Sequence, residues 1–221
     1  MSKLVEIFSN LHKATKRNYL KRMLDNKVKY MGIAKKYEKE YWDGSRKSGY
    51  GGYKYIPNYW TPVANKLIKF YSLKNNSKIL DVGCGKGFLL YEIKKILPQI
   101  EICGFDISKY AIKNSPKPIK RFLKLRNASS NYPFKKNYFD LVISFGCVHN
   151  LKIYALEKCL GEIERVGKKK FIMTESYRNN IELFNLQCWA LTCESFFSVD
   201  EWKWIFKKFK YSGDYEFIYF E

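Results

Sequence analysis

A glycine-rich turn in the first half of the chain has the residue types and spacing of a ligand-binding loop. An apolar run over 79–82 is followed by glycine at every second position, at Gly83, Gly85 and Gly87. The run fits a buried strand and the residues after the glycines have helical apolar spacing, so the glycines form a tight strand-to-helix turn. A missing Cβ lets a ligand approach the backbone closely there. A dinucleotide-binding fingerprint would need its third glycine at the position of Phe88, so the spacing departs from that fingerprint.

A second acidic residue stands at the end of the next apolar run. Residues 100–105 read as a strand that ends at Asp106. An acid at such a strand end can accept hydrogen bonds from two ribose hydroxyls, as in other nucleoside-binding α/β folds. It can also be an acid at a helix N-terminus, with Ser108 as the cap, and both roles can hold at once. The glycine turn upstream favours the ligand role.

The glycine turn and the segments after it resemble class I S-adenosylmethionine (SAM) methyltransferases. The form D-x-G-x-G-x-G, which begins at Asp81, resembles the family's first motif, and residues 138–146 resemble its fourth strand. Asn127 stands where the family usually has Asp, and its amide oxygen can still accept a hydrogen bond from the adenine amino group. The resemblance implies that Asp106 binds the ribose and that Ile107 packs on adenine. It implies the following SAM-binding residues: Asp81, Gly83, Cys84, Gly85, Gly87, Phe88, Asp106, Ile107, Asn127, Ala128, Phe145 and Gly146.

Alternating strand and helix patterns predict an α/β fold, and the resemblance implies a Rossmann-like class I methyltransferase fold. We expect a central, mostly parallel sheet of six or seven strands with helices on both faces. The family's sheet usually ends with two more strands, of which the last is antiparallel, but only one is plain here. The predicted strands lie near 78–82, 100–106, 120–125, 138–144, 169–175 and 214–220. The predicted helices lie near 87–97, 108–115, 151–165, 179–191 and 199–209.

The chain divides by composition into an N-terminal part, 1–60, and a SAM-binding domain, 61–221. Residues 2–40 have helical apolar spacing with many lysines, which suits a lid on the domain or a helix lying on a membrane. We expect the lid. Residues 41–59 form a loop rich in glycine and aromatic residues, and loops of this length inside compact domains are usually functional or disordered. The aromatic density favours a substrate-binding loop.

His149 follows the fourth strand directly and is the first candidate for a catalytic base. Its ordinary pKa lies near the working pH, which suits an oxygen acceptor, although it could instead orient the loop or bind a ligand carboxylate. Glu175 and Tyr177 are weaker candidates, since acids at strand ends often cap helices. Candidate acceptor-binding residues are Arg46, Lys47 and Arg178 for an anion, or as solvated surface charges, and Tyr50 and Tyr53 for stacking.

Two segments resemble a narrower group, the small bacterial methyltransferases of surface-polysaccharide (capsule or lipopolysaccharide) gene clusters. These are residues 42–55 and 183–198. This resemblance, the basic and aromatic loop at 41–59 and the absence of a base-methylation motif together lead us to expect O-methylation of a small anionic precursor, such as a nucleotide-linked sugar or a phosphoryl-bearing intermediate. Nucleic-acid enzymes of this fold often carry N/D-P-P-Y/F after the fourth strand, where this chain has residues 145–148, Phe-Gly-Cys-Val. That difference argues against methylation of bases.

The formal net charge of +20 is concentrated in two segments. Residues 1–56 hold 14 Lys and Arg against 5 acids, and residues 107–137 hold 9 and no acid. Such a field can attract RNA or a membrane surface, or it can be a lysine-rich solvated face. An RNA-binding or RNA-methylating protein is therefore the alternative function. We favour the solvated face and expect no stable nucleic-acid partner; the pattern gives no oligomeric state.

The cysteine and apolar patterns indicate a cytoplasmic protein. The six cysteines include no C-x-x-C pair, which favours reduced thiols. Cys147 and His149 are too few and too isolated to predict a metal site. No run of 18 apolar residues and no apolar signal core is present, so we expect neither membrane insertion nor secretion.

Overall fold

The central sheet of this chain is entirely parallel. The computed structural model describes residues 3–13 and 17–221, apart from the side chain of Asn10. These residues form one six-stranded sheet in the order β3-β2-β1-β4-β5-β6. Its strands are β1 (Lys78–Val82), β2 (Glu101–Asp106), β3 (Leu123–Leu125), β4 (Phe139–Phe145), β5 (Gly167–Glu175) and β6 (Asp214–Ile218). The predicted Rossmann-like α/β fold is confirmed, in its six-stranded form.

The last strand runs parallel to its neighbour, unlike the antiparallel final strand that is usual in the family. β5 pairs with β6 in parallel over residues 171–175. Two helices, α9 (Asn180–Trp189) and α10 (Val199–Lys208), lie between these strands in the sequence. A helical crossover returns the chain to the end of the sheet where the previous strand began, so the next strand is parallel.

The other helices precede or connect the strands. They are α1 (Ser9–Lys13), α2 (Tyr19–Leu24), α3 (Lys27–Ala34), α4 (Lys39–Trp42), α5 (Thr61–Tyr71), α6 (Phe88–Ile96), α7 (Lys109–Lys113) and α8 (Ile153–Val166). No helix within residues 3–13 and 17–221 has the length and apolarity to cross a membrane.

The stretch predicted as helical, 2–40, consists of short helices where the structure describes it; residues 2 and 14–16 lie outside the described part. Leu4 is not helical and pairs with Tyr215 beside β6. Left-handed backbone at Asn26 (φ 50°) separates α2 from α3, and at Tyr37 (φ 52°) it separates α3 from α4. Apolar spacing did not reveal these breaks, because neither position is a glycine or a proline.

Helices cover both faces of the sheet, as the strand pattern predicted. In β1, Ile79 belongs to a core cluster with Leu67 of α5 and Leu90 of α6. The next residue, Leu80, points to the opposite face and belongs to a cluster with Leu160 of α8. All five side chains are fully buried, and each such burial contributes about 1.5–3 kcal/mol.

The strand order places one edge of the sheet in position to bind a ligand. β1 is followed in sequence by β2 on one side, while β4 lies on its other side, so the order of strands reverses between β1 and β4. In open parallel sheets, ligands bind beyond the carboxyl ends of the strands at such a reversal. The carboxyl ends of β1, β4 and β5 carry Asp81, Phe145 and Glu175.

Candidate cofactor and acceptor site

A cavity of about 410 Å³ opens at this edge of the sheet. Its floor is the glycine turn after β1, and one wall is formed by the ends of β4 and β5. The N-terminal helices, the 41–60 loop and residues 189–192 enclose the rest. Of the predicted site residues, those that line it are Arg46, Tyr50, Tyr53, Asp81, Gly83, Cys84, Gly85, Phe88, Phe145, Gly146, His149 and Glu175.

The glycines of the turn are required by its backbone and by its neighbours. Gly83 has φ 79°, a left-handed value, and a Cβ there would lie 2.5 Å from Cys147 Cβ. Gly87 has φ 75° at the start of α6, and a Cβ there would lie 2.8 Å from the Leu123 side chain. Gly83 therefore shapes the cavity floor, whereas Gly87 lets α6 pack against the sheet and does not itself line the cavity.

Asp81 is an acid in the floor of the cavity without a hydrogen-bond partner for one of its oxygens. Its side chain is 3 % exposed, and Oδ1 has no partner among the described residues. Burial, with a further contribution from the nearby Asp106, raises the pKa of Asp81 to about 8. A buried carboxyl of this kind favours a cationic ligand group, because a cation would stabilise its charged form.

Asp106 is bound by backbone and covered by the N-terminal segment. Its Oδ2 accepts from the Gly85 N–H and its Oδ1 from the Ser108 N–H, both at 2.8 Å. Ser108 also caps α7, so the helix-start role predicted as an alternative is present. Trp42 lies over this corner: its Nε1 donates to Ser108 Oγ (2.9 Å) and to the Tyr37 carbonyl (3.0 Å). Asp106 does not line the cavity.

The predicted adenine contacts also lie outside the cavity. Ile107 is exposed, and the Oδ1 of Asn127, which we expected to accept from adenine, accepts from Ser129 N and Oγ, each at 2.9 Å. Ala128 is buried beside them and does not line the cavity. The structure thus brings together the residues predicted for the methionine part of SAM, and Trp42 separates them from those predicted for adenosine.

His149 and Glu175 form a pair in the cavity wall. His149 is buried, and its Nε2 lies 3.5 Å from Glu175 Oε2. The Glu175 N–H donates to Nδ1 at 3.3 Å, so the neutral imidazole carries its proton on Nε2, facing the carboxylate. Burial lowers the pKa of His149, and the charge of Glu175 opposes that shift. The carboxylate therefore has the lone pairs that can accept a proton, and the neutral imidazole orients it.

Aromatic side chains of the 41–60 loop line the opposite wall. Tyr53 stacks on Phe88 with ring centroids 5.0 Å apart, and Tyr50 stacks on Trp42 at 5.3 Å. These rings provide the flat apolar surface predicted for stacking.

Three candidates lie outside the cavity. Lys47 Nζ is bound to Asp25 Oδ1 at 2.6 Å. Arg178 pairs with Glu182 and Glu221 and lies over the ring of Tyr219. Tyr177 directs its hydroxyl toward Glu201 Oε2, at 3.5 Å. Each side chain is occupied by a partner on its own surface, which gives it no contact with the cavity.

Two arginines that the sequence analysis did not single out line the far end of the cavity. The guanidinium carbons of Arg17, Arg22 and Arg46 lie 5.4, 4.8 and 5.1 Å from the ring centroid of Trp189. Trp189 belongs to the 183–198 segment and Arg46 to the 42–55 segment, so the two segments that carried the narrower resemblance meet here. The sequence held no signal that Arg17 and Arg22 would join them.

Comparisons with known proteins agree with this geometry. Residues 73–210 match the model of a family described as "Methyltransferase domain". The chain is 28% identical over 109 residues to the mitochondrial arginine-hydroxylase NDUFAF5 of Mus musculus, covering 49% of this chain and 31% of that protein. It is 24% identical over 147 residues to the demethylmenaquinone methyltransferase of Thermotoga maritima, covering 63% and 64%. The chain thus spans about a third to two thirds of these relatives.

A solved structure shows the same fold. The crystal structure of a putative methyltransferase from Bacillus halodurans superposes with a TM-score of 0.54 at 19% identity, covering 66% of this chain and 67% of that one. The family model covers more than half of this chain, and the sheet order and glycine turn fit it. The chain therefore belongs to the methyltransferase-domain family.

Proposed function

We propose that the protein is a SAM-dependent methyltransferase that methylates an oxygen of a small anionic acceptor bound in the cavity. The proposed acceptor is a precursor of a bacterial surface polysaccharide, such as a nucleotide-linked sugar or a phosphoryl-bearing intermediate. The observation that carries the proposal is that one cavity joins the glycine turn, the His149–Glu175 pair and a cluster of arginines. The glycan assignment rests on the sequence resemblance of segments 42–55 and 183–198, which meet at one end of the cavity where Arg46 lies over Trp189.

The residues of the floor fit the methionine part of SAM. The glycine turn lines the cavity at Gly83 and Gly85, and Asp81 presents an oxygen without a partner among the described residues. We propose that Asp81 receives the ammonium group and that Asp106 contacts the ribose once Trp42 moves. When bound, SAM supplies a methyl group on a positively charged sulfur. The protein's part is then to position the acceptor oxygen and to take its proton.

The proton of the acceptor hydroxyl is proposed to move to Glu175. His149 holds this carboxylate through Nε2, and its low pKa keeps the imidazole neutral at pH 7. A hydrogen-bonded carboxylate in a half-buried wall can accept a proton as the oxygen is methylated. Tyr177, which points away from the cavity, takes no part in this proposal.

The basic 107–137 segment lies away from the cavity. None of its residues lines the cavity wall, although the segment holds nine Lys and Arg. This separation favours a small acceptor over RNA as the methylated molecule. The absence of a stable nucleic-acid partner remains a prediction.

Labelled SAM tests the acceptor directly. Extracts of nucleotide sugars and phosphorylated metabolites are incubated with the purified protein and methyl-labelled SAM, and labelled products are identified by mass spectrometry. Label should appear in a phosphoryl-bearing sugar, stable to mild base as expected for a methyl ether. The Glu175→Gln protein is the control for enzyme-dependent label. Label found only in RNA or protein would refute the small-acceptor proposal.

A further inference from the structure

One end of the cavity carries three positive charges around a single indole ring. Arg17, Arg22 and Arg46 all line the cavity together with Trp189. We infer that they form a binding subsite for a phosphoryl or diphosphoryl group of the acceptor. This proposal rests on the proposed function. The arginines bind the anionic group and so hold the acceptor in place, while the hydroxyl of the acceptor lies at the His149–Glu175 pair.

Two of the three arginines, Arg22 and Arg46, have no carboxylate partner among the described residues. Among residues 3–13 and 17–221, no carboxylate oxygen lies within 4.0 Å of Arg22 or Arg46. The nearby Asp25 is bound by Lys47. Burial and the charge of Arg46 lower the pKa of Arg22 to about 10. Like charges held together in a half-buried wall are unfavourable unless an anion joins them.

Hydrogen bonds to backbone carbonyls fix the guanidinium groups without neutralising them. Arg46 donates from Nη1 to the carbonyls of Gly49 (3.1 Å) and Tyr50 (2.9 Å). Arg22 donates from Nε to the Trp189 carbonyl (3.3 Å) and from Nη1 to the Arg46 carbonyl. In the described part of the chain, Nη2 of Arg22 and both Nε and Nη2 of Arg46 have no protein acceptor. These donors are oriented in advance and available to a ligand.

The third arginine, Arg17, is held in place by His12. It donates from Nη1 to the His12 carbonyl (3.2 Å), and its Nη2 lies 3.1 Å from His12 Nδ1. His12 Nε2 lies 2.9 Å from the Tyr219 carbonyl, so Nε2 carries the proton and Nδ1 accepts from Arg17. Burial, together with the charge of Arg17, lowers the pKa of His12 to about 4 and keeps it neutral. His12 therefore orients Arg17 and adds no charge.

A structural role for these cations accounts for only part of the cluster. The C-terminal carbonyls of α9 attract cations, and Lys27 Nζ already donates to the carbonyls of Gln187 and Cys188 (2.8 Å to the latter). Arg22 adds a bond at Trp189, but Arg46 makes no hydrogen bond to α9. Guanidinium groups that converge on one point suit a multiply charged tetrahedral oxyanion, whereas one guanidinium is enough to bind a carboxylate through its paired donors.

Titration with inorganic pyrophosphate tests the subsite without an acceptor. The full chain is saturated with S-adenosylhomocysteine (SAH), the demethylated product, and pyrophosphate binding is followed by calorimetry. We expect saturable binding that weakens about tenfold to a hundredfold in Arg22→Gln and in Arg46→Gln, since each loses charge-assisted hydrogen bonds. Arg46→Lys keeps the charge but loses the fork, so it should fall between Arg46→Gln and the wild type.

The control is Arg121→Gln, which removes an equal charge from an exposed arginine that also lies over an aromatic ring, that of Phe122, outside the cavity. Its pyrophosphate affinity should equal that of the wild type. Equal losses in all three Gln variants, no loss in the two cavity variants, or malonate binding as tightly as pyrophosphate would overturn the subsite.

Because Arg46 is on an exposed loop, its variants test the subsite even if Arg22→Gln does not fold. SAH affinity is measured in each protein, so failure of the SAM site is distinguished from failure of the anion subsite. A second titration, with a nucleoside diphosphate, distinguishes the two kinds of acceptor. Binding tighter than that of pyrophosphate indicates a nucleotide-linked acceptor, and equal binding indicates a phosphoryl sugar.

Discussion

Replacing Asp81 by Asn should remove a pH dependence of cofactor binding that the structure predicts. The carboxyl is buried beside Asp106, and its pKa is raised to about 8. At neutral pH the unliganded protein therefore holds a proton on Asp81. If the ammonium group of the cofactor binds there, the carboxyl must ionise, and the proton is released on binding.

The size of the effect follows from the raised pKa. One pKa unit corresponds to about 1.4 kcal/mol, so ionising Asp81 costs about 1.4 kcal/mol at pH 7 and about 2.7 kcal/mol at pH 6. SAH affinity should therefore rise roughly tenfold between pH 6 and pH 7, with nearly one proton released. The rise ends near pH 8, because above this pH Asp81 is already ionised in the unliganded protein and binding no longer has to ionise it.

Calorimetry with SAH in buffers of different ionisation enthalpy measures both the affinity and the protons released. Asp81→Asn cannot ionise, so its affinity should be lower at pH 7.5 and nearly constant from pH 6 to pH 7. Glu175→Gln is the matched control, since it removes another carboxylate of the same cavity and should keep the tenfold rise. A wild-type affinity that does not change over this range, or a rise that persists in Asp81→Asn, would refute the assignment of the ammonium group to Asp81.

Four substitutions and one pH–rate profile test the rest of the site. Glu175→Gln should lower kcat by about 10²–10⁴ and His149→Ala by a smaller factor, because only the first removes the atom that receives the proton; equal effects would contradict that order. Because the pKa of His149 is lowered, wild-type kcat should fall only below pH 6.5, where the protonated imidazole pairs with the Glu175 carboxylate and stops it from accepting a proton. A pH–rate profile measures where this fall begins. Trp42→Phe keeps an aromatic ring but loses part of the indole's contacts and both of its hydrogen bonds, so stopped-flow SAH association should accelerate by about tenfold. An unchanged rate would show that Trp42 does not control access to the adenosine side. Gly83→Ala should lower the thermal midpoint and abolish SAH binding, since its Cβ would lie 2.5 Å from Cys147 Cβ at a left-handed φ; binding that survives would show that the turn can adjust.

The glycine turn was predictable because its pattern is local. The strand, the acid and the alternating glycines lie within about ten residues, and each glycine answers a backbone or packing requirement at its own position. The parallel sheet followed from the alternation of strands and helices, and that alternation also explains why β6 is parallel. What the alternation did not show was that Trp42, about forty residues before the turn, would lie over Ser108.

The acceptor side was harder to predict because charge alone does not say which partner a side chain will find. Lys47 and Arg178 were expected to meet the acceptor, and each lies against an acid outside the cavity instead. Arg178, which lies just before α9, meets Glu182 in the first turn of that helix, a pairing that the short separation in sequence could have suggested. Arg22 approaches Trp189 only because α2 packs on α9, a contact between segments separated by most of the chain.

The N-terminal segment links the two halves of the site through one buried ion pair. Lys86, between the second and third glycines of the turn, donates to both oxygens of Asp43 (2.8 and 2.7 Å) and to the Tyr53 carbonyl (2.7 Å). Asp43 is adjacent to Trp42, which covers the ribose corner, and three residues before Arg46, which reaches the arginine cluster. A movement of this segment that admits the adenosine part must therefore also displace Arg46 from the acceptor subsite. We expect the cofactor to bind first and the acceptor second, because only the closed segment presents the complete anion subsite.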